Sequence, residues 1–252
     1  MIQKRRDLIH KTIEDRGDVS LDELQALLPD VSLMTIRRDL IVLEKEGRVI
    51  RVRGGAKSRK TSALLQEPAY LQRLESHDSA KAIIASKAIE FVAAGRSLYI
   101  DSGTTCLAFT EQLPDDNIFI ITPSPHVALE AAKRRDIRVN LTGGQLNRNT
   151  LTLSGTNAVQ YMKGINIDVA FMAASAFSLQ NGFSCGDFNE AELKRLIMRK
   201  AELVIVLMDQ SKLGFSMPYT FARPNQVNIL ITEAELPEPY IRALRRAQVG
   251  LR

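Results

Sequence analysis

A chain of 252 residues, 45% of them hydrophobic, can bury one large core or a small and a medium one, which excludes a wholly disordered protein. No stretch approaches the roughly 20 uninterrupted apolar residues of a spanning helix, and the basic start Met1-Ile2-Gln3-Lys4-Arg5-Arg6 has no apolar run behind it, so a soluble cytoplasmic protein with no membrane contact is expected. The formal charge of +5 is unevenly placed: residues 1–30 carry five Lys/Arg against seven Asp/Glu, residues 31–60 nine against three, and the rest twenty against nineteen. A positive field confined to one short piece is what a nucleic-acid face looks like. Cys106 and Cys185 lie far apart and join no Cys/His cluster, so free buried thiols, with no disulfide, metal or cofactor, are expected.

From Ile2 to Arg16, Leu8, Ile9 and Ile13 recur at helical spacing and Gly17 supplies a stop. Ser20-Leu21-Asp22-Glu23 reads as a capping box opening a short second helix, with Leu21, Leu24, Leu27 and Leu28 as its apolar stripe and Pro29 as its end. Ser32 is the natural cap of a third helix to about residue 45, with Leu33, Ile36, Leu40 and Leu43 inward and Thr35, Arg37, Arg38 and Ile41 outward. Two helices a few residues apart, the second basic outside, are arranged as a major-groove reader requires. After Gly47, residues 48–53 alternate apolar side chains with Arg before Gly54-Gly55, as a strand does at a hairpin. This wing would present Arg51 and Arg53 to the phosphate backbone or to an adjacent minor groove.

Three motifs here, Ser32-x-x-Thr35-Ile36-Arg37-Arg38-Asp39-Leu40, then Leu43-Glu44-x-x-Gly47, then Arg51-Val52-x-Gly54-Gly55-Ala56, resemble the signature of the DeoR family of bacterial transcription regulators. The resemblance implies a winged helix-turn-helix domain over residues 1–57, with Ser32, Met34, Thr35, Arg37, Arg38, Arg51 and Arg53 as the DNA-binding residues.

Residues 58–78 mix Ser, Thr, Lys and Pro68 with scattered apolar residues and read as a tether with partial helix. The second domain, 79–252, alternates helical and strand-like patterns: a helix to residue 95, strand 98–100, helix 104–113, strand 118–122, helix 125–135, then strands near 137–141, 168–172, 203–208 and 227–232. Near-continuous apolar strands such as Leu203-Val204-Ile205-Val206-Leu207-Met208 indicate a Rossmann-like α/β domain whose parallel sheet is covered on both faces. Ligands in such sheets bind beyond the carboxyl ends of the strands. There stand Asp101-Ser102-Gly103-Thr104-Thr105, opening a helix whose first N–H groups favour an anion, Thr142-Gly143-Gly144, and Asp209-Gln210-Ser211-Lys212. Glu190 and Lys194 share one helical face at i and i+4.

In this order these motifs also resemble the DeoR-type sensor domain, a family domain similar in fold to ribose-5-phosphate isomerase that typically binds phosphosugars. The resemblance implies a phosphorylated effector held by Asp101, Ser102, Gly103, Thr104, Thr105, Thr122, Ser124, Gly143, Gly144, Ser175, Glu190, Lys194 and Lys212. Two departures bear on the ligand. Where the family usually reads Thr-Asn-Ser this chain has Thr122-Pro123-Ser124, and where it often reads Gly-Ala-Asp-Gly it has Ala173-Ala174-Ser175-Ala176. The missing carboxylate argues against isomerase-type acid/base chemistry and opens the site to a sugar acid. His10, His77 and His126 offer no catalytic pairing, so no catalytic residue is expected. The resulting expectation is a repressor of a carbohydrate uptake or catabolic operon, binding double-stranded operator DNA as a dimer or tetramer and released by a phosphorylated sugar or sugar acid. The competing readings are an isomerase-like sugar-phosphate enzyme carrying a DNA-binding module, and a regulator whose sensor domain has lost its ligand.

Overall fold

The computed structural model describes residues 2–46, 48–52, 54–58 and 69–252. They form two compact units, one on each side of residues 59–68. The first unit runs α1 (Ile2–Arg16), β1 (Asp18–Ser20), α2 (Leu21–Leu27), α3 (Leu33–Lys45), β2 (Val49–Val52) and β3 (Gly55–Ser58). Its caps are those written in the sequence. The Ser20 N–H donates to Glu23 Oε2 at 2.8 Å while Ser20 Oγ accepts the Glu23 N–H at 3.2 Å, and Ser32 Oγ accepts the Thr35 N–H at 3.3 Å. The wing strands pair antiparallel, and β1 adds a third strand that alternation did not reveal, giving the order β1-β3-β2.

Ile9, Ile13, Val19, Leu24, Ile36, Leu40, Leu43, Val49 and Ala56 make the core of this unit. Leu33, expected inside, is 39% exposed, and Leu8 and Leu27 are also exposed. A core this small accepts one narrow stripe per helix, and these positions lie at its flanks. In place of Leu33 the inner side of α3 buries Asp39, whose two carboxylate oxygens accept from Arg5 Nε at 2.6 Å and Arg6 Nε at 2.8 Å. This pair ties the start of α1 to the middle of α3.

The second unit opens with α4 (Tyr70–Leu74) and α5 (Asp78–Ile89), then β4 (Ser97–Ile100), α6 (Thr104–Glu111), β5 (Ile118–Thr122), α7 (Pro125–Ala131) and β6 (Ile137–Leu141). A hairpin of β7 (Gln145–Asn147) and β8 (Thr152–Ser154) leads to α8 (Thr156–Lys163) and β9 (Ile167–Ala173). Next come β10 (Ala176–Ser178), β11 (Gly182–Cys185), α9 (Phe188–Lys200), β12 (Ala201–Leu207), β13 (Tyr219–Ala222), β14 (Ile229–Ile231), α10 (Glu238–Arg246) and β15 (Gly250–Leu251). Seven parallel strands lie in the order β15-β14-β12-β9-β4-β5-β6.

Side chains along these strands alternate between two cores. Val169 and Phe171 of β9 pack with Ile84, Phe109 and Val127 from α5, α6 and α7. Ala170 and Met172 pack with Met162, Ile197 and Leu244 from α8, α9 and α10. The small antiparallel sheet β10-β11-β13 belongs to the second core through Phe177, Phe183 and Phe221 and was not anticipated, because its strands are three or four residues long. Of the segment read as a tether, residues 59–68 lie outside the described residues, whereas residues 69–78 pack on this unit: Tyr70 is 2% exposed and stacks on His126 with ring centroids 4.7 Å apart. Burial raises the Tyr70 phenol to about 12. Cys106 and Cys185 are free and buried. No helix among the described residues is long and apolar enough to cross a membrane, and no group of three or more His, Cys, Asp or Glu among them is placed to hold a metal ion.

Candidate DNA-binding face and effector cleft

The outer face of α3 presents Met34, 59% exposed, with Arg37, Arg38 and Ile41 also exposed. Ser32 and Thr35 serve the helix start: besides the cap, their hydroxyls hydrogen-bond each other at 2.9 Å. Arg37 and Arg38 make no ion pair among the described residues, so their guanidinium groups are available to a partner. Arg51 differs. Its Nε donates to Glu44 Oε2 at 2.8 Å and its N–H to Glu44 Oε1 at 3.3 Å, so the wing cation is matched by a carboxylate of α3. Arg53 lies outside the described residues.

In the second unit the strand order reverses between β4 and β9: β5 and β6 extend one way from β4, and β12, β14 and β15 the other way from β9. Such a switch point leaves a crevice at the carboxyl ends of the two strands, because their connections depart to opposite sides. A narrow cleft lies there, lined by Arg73, Ser102, Thr150, Ala173, Ala174, Ser175, Glu190 and Lys194.

Asp101, at the end of β4, is 1% exposed. Its Oδ1 accepts a hydrogen bond from the Ser102 N–H at 2.8 Å, and its Oδ2 accepts hydrogen bonds from the Ala173 N–H of β9 at 2.9 Å and from Lys194 Nζ. Lys194, 2% exposed, also donates to the Ala173 carbonyl at 3.0 Å and pairs with Glu190 Oε1 at 3.2 Å. Burial works against the ammonium, but the neighbouring carboxylates of Asp101 and Glu190 outweigh it and hold the Lys194 pKa well above the ordinary lysine value. Both members of the Glu190–Lys194 spacing are thus buried at the cleft. Asp101 is a strut joining two strand ends across the switch point; facing a phosphate, it would repel it.

Gly103 caps α6 at φ +125°, and a Cβ there would stand 3.2 Å from Ala173 Cβ, so glycine lets the loop close against β9. The hydroxyls of Thr104 and Thr105 in the first turn of α6 have no partner among the described residues, and the free N–H groups of that turn add positive potential.

Other expected site residues stand further along the carboxyl edge. Thr122 and Ser124 are wholly buried, Thr122 Oγ1 accepting the Ser124 N–H at 3.1 Å and Ser124 Oγ capping α7 through the Val127 N–H at 3.3 Å. A Cβ on Gly144, at φ +106°, would meet the Ser154 carbonyl oxygen at 2.3 Å, so this glycine admits β8 rather than a ligand; Gly143 precedes it in the same turn. Lys212 ends a short 3-10 turn, Gln210–Lys212, begun by Asp209, and is absent from the cleft lining. The cleft therefore gathers Ser102, Ser175, Glu190 and Lys194 from the expected set. It adds Arg73 and Thr150, which sequence reasoning missed. Arg73 stands in a segment with the composition of a tether, and Thr150 in the turn of a hairpin too short for its alternation to register; neither carries a local signal.

A basic helix-turn-helix with a wing, carried on a chain whose second unit holds a cleft at a sheet switch point, defines a DNA-binding regulator of the two-domain, ligand-sensing class. Comparison with known proteins narrows the class. Residues 76–234 match the DeoR C terminal sensor domain and residues 5–62 the DeoR-like helix-turn-helix domain. The chain is similar to the transcriptional regulator GlpR of Haloferax volcanii, 32% identical over 92% of this chain and 90% of that protein. It is similar to IolR of Bacillus subtilis, 32% identical over 95% and 94% of the two chains, and to a putative aga operon transcriptional repressor of Escherichia coli O157:H7, 28% identical over 98% and 91%. Among solved structures, ribose 5-phosphate isomerase A of Methanocaldococcus jannaschii matches 55% of this chain and 56% of its own, at 18% identity and a TM-score of 0.41. The chain belongs to the DeoR family of transcription regulators.

Proposed function

We propose that the protein represses genes of carbohydrate uptake or catabolism from the cytoplasm, acts as a homo-oligomer on double-stranded operator DNA, and is released by a phosphorylated sugar or sugar acid without turning it over. The observation that carries this reading is the cleft at the β4/β9 switch point, beside the first turn of α6, in a chain whose other unit exposes Arg37 and Arg38 on a recognition helix. In this reading Ser32, Met34, Thr35, Arg37, Arg38, Arg51 and Arg53 form the DNA face. Ser102, Gly103, Thr104 and Thr105 cradle the phosphate, Ser175 and Glu190 meet the ligand's hydroxyls, and Asp101 and Lys194 hold the cleft in shape. Thr122, Ser124, Gly143, Gly144 and Lys212 border it. The relatives named as transcriptional regulators, one of them a putative aga operon transcriptional repressor, support the regulatory role. Against turnover stands Ala173-Ala174-Ser175-Ala176, which places no carboxylate at the end of β9 for proton transfer.

Footprinting across the gene's own neighbourhood, with and without candidate sugar phosphates, tests the reading. Protection relieved by one phosphate supports it; protection indifferent to all of them removes the effector. The variant Thr104→Val is nearly isosteric and removes one hydroxyl. It should leave operator affinity near wild type and weaken release about tenfold, because a ligand shifts the DNA-binding equilibrium only through its differential affinity for the two states. Release with unchanged dose dependence would move the phosphate elsewhere.

A further inference from the structure

The surface over α9 and β13 carries arginines that the effector cleft does not use. Arg195 and Arg199 stand one helical turn apart, at i and i+4, on one side of α9. They line a groove together with residues 220–222 of β13 and with Arg223 and Gln226 beyond that strand. The lining holds three guanidinium groups and no carboxylate, and it shares no residue with the lining of the cleft. Arg48 and Arg242, by contrast, are matched by the carboxylates of Asp7 and Glu238.

Two of the three guanidinium groups are held by backbone carbonyls. β13 is an edge strand of the small sheet, and Arg195 covers that edge: its Nε donates to the Thr220 carbonyl at 3.0 Å and its Nη2 donates there as well, while its Nη1 pairs with Glu192. Arg223 donates from Nη1 to the Gln180 carbonyl at 2.5 Å. Its backbone N–H donates to Gln226 Oε1 at 2.8 Å, which orients the Gln226 amide and leaves its NH2 group as a donor. Arg199 makes no hydrogen bond or ion pair among the described residues. A carbonyl orients a guanidinium without neutralising it, so Arg223 keeps its full charge and all but one of its N–H donors. Glu192 offsets one of the three charges and leaves a net of two, the magnitude that one phosphoryl group, at roughly −1.5 to −2 near pH 7, would match. The planar fork of arginine also fits phosphate oxygens two at a time.

We propose that this groove is a second anion site of the second unit, taking one phosphoryl group, with Arg199 and Arg223 as its binding cations and with Arg195 and Gln226 completing the donor set. The occupant is free phosphate or the phosphoryl end of a small monoester, which share this chemistry. Because the two linings have no residue in common, the site stands whether or not the cleft holds the effector. The sites are nonetheless neighbours: Phe221 lines the groove, and its ring centroid lies 5.3 Å from Nζ of Lys194, which lines the cleft.

The test uses the full-length protein and isothermal titration with inorganic phosphate, phenyl phosphate and sulfate at one fixed ionic strength. Neither phosphate probe carries sugar hydroxyls for the cleft to recognise. Wild type should bind both, and Arg199→Gln and Arg223→Gln should each weaken binding at least about tenfold, with Arg199→Lys recovering part of the loss. Arg242→Gln, a surface charge loss on α10, and Thr104→Val, a change in the first turn of α6, should leave this binding within about twofold of wild type. Tighter binding of phenyl phosphate than of inorganic phosphate supports the site with a monoester as occupant, and equal binding supports it with free phosphate. Arg199 has no partner to lose, so its variants should fold; should Arg223→Gln not fold, the two Arg199 variants decide. Phosphate affinity equal to wild type in folded Arg199→Gln overturns the assignment, as does a wild type that binds neither phosphate. Loss of binding in Thr104→Val with none in Arg199→Gln would place the phosphate in the cleft and overturn the second site. Sulfate bound as tightly as phosphate would reduce the groove to a generally basic surface. If Arg199→Gln weakened binding to duplex DNA and left phosphate binding unchanged, the groove would be a contact for the DNA backbone and the small-anion site would be refuted.

Discussion

The outer face of α3 and the cleft between β4 and β9 are the two proposed binding surfaces, but they keep their charges in opposite ways. Arg37 and Arg38 stand exposed and unpaired among the described residues, whereas Lys194, Asp101 and Glu190 are each at most 5% exposed and satisfy one another. A surface that meets a polyanion gains from charges that are hydrated and mobile, because contact releases counterions from the DNA. A cleft that must hold one geometry for a small ligand gains from charges fixed before the ligand arrives. Substitutions in the cleft should therefore cost stability, and those on α3 should cost affinity.

The largest effect is expected at Lys194. Lys194→Met leaves two carboxylates buried without their cation and should lower the stability of the second unit by about 3–5 kcal/mol. Urea denaturation measures this, and the first unit, followed separately, should be unaffected. Adding Asp101→Asn and Glu190→Gln to the same protein should recover much of the loss, since no charge then remains buried. Full stability of Lys194→Met alone would mean that the triad is hydrated, and the contrast with α3 would fail.

Next comes Arg38→Ala, expected to weaken operator binding by about 1–3 kcal/mol with no change in melting temperature, as an outward Arg early in a recognition helix can contact a base bidentately. Lost stability with unchanged affinity would reverse its assignment.

Asp39 sits between these cases, a buried carboxylate on the helix that carries the readers. Burial alone would raise its pKa, but the guanidinium groups of Arg5 and Arg6 hold it below the ordinary 3.8. A carboxylate depressed in the folded state contributes stability that is present above its unfolded pKa and lost as the pH falls through the folded one. Asp39→Asn should thus destabilise the first unit by about 1–2 kcal/mol at pH 7, discounted because both arginines are about a fifth exposed, and the difference should vanish as the pH drops below about 3.8. A pH-independent difference would make the effect one of packing.

How far the sequence foretold each region follows from the same contrast. The first unit is built from local signals: Ser20 with Glu23, Ser32 with Thr35, and an apolar stripe within each helix, all inside a few residues of one another. What escaped there was Asp39, since a charge on an apolar stripe looks misplaced until α1 supplies Arg5 and Arg6 from more than thirty residues away. The parallel sheet was legible in its apolar runs, and the loops at its carboxyl edge in their Gly, Ser and Thr. Their convergence was not. Ser102, Thr150, Ser175 and Lys194 meet only because β9 pairs with β4, a register that no local pattern encodes. Motif order placed Asp101 and Lys212 in the phosphate site, yet one is occupied as a strut and the other lies outside the cleft lining.

The smallest effect concerns Arg51, which among the described residues is the one expected DNA-binding cation that is not free. Its partner Glu44 is 40% exposed, and an ion pair that open to water is weak, so the guanidinium can leave for a phosphate at little cost. Glu44 then remains beside the DNA as a like charge. Glu44→Gln removes both the competing partner and the repulsion, and should tighten binding to operator and to unrelated duplex alike by about two- to five-fold. Arg51→Ala should weaken both alike and flatten the dependence of log affinity on log salt by about one unit of slope. Measuring both variants on both duplexes at several salt concentrations separates the two roles of a wing cation. If Arg51→Ala changed affinity for the operator alone, Arg51 would be reading bases, and Glu44 would be the group that holds it in register for that contact.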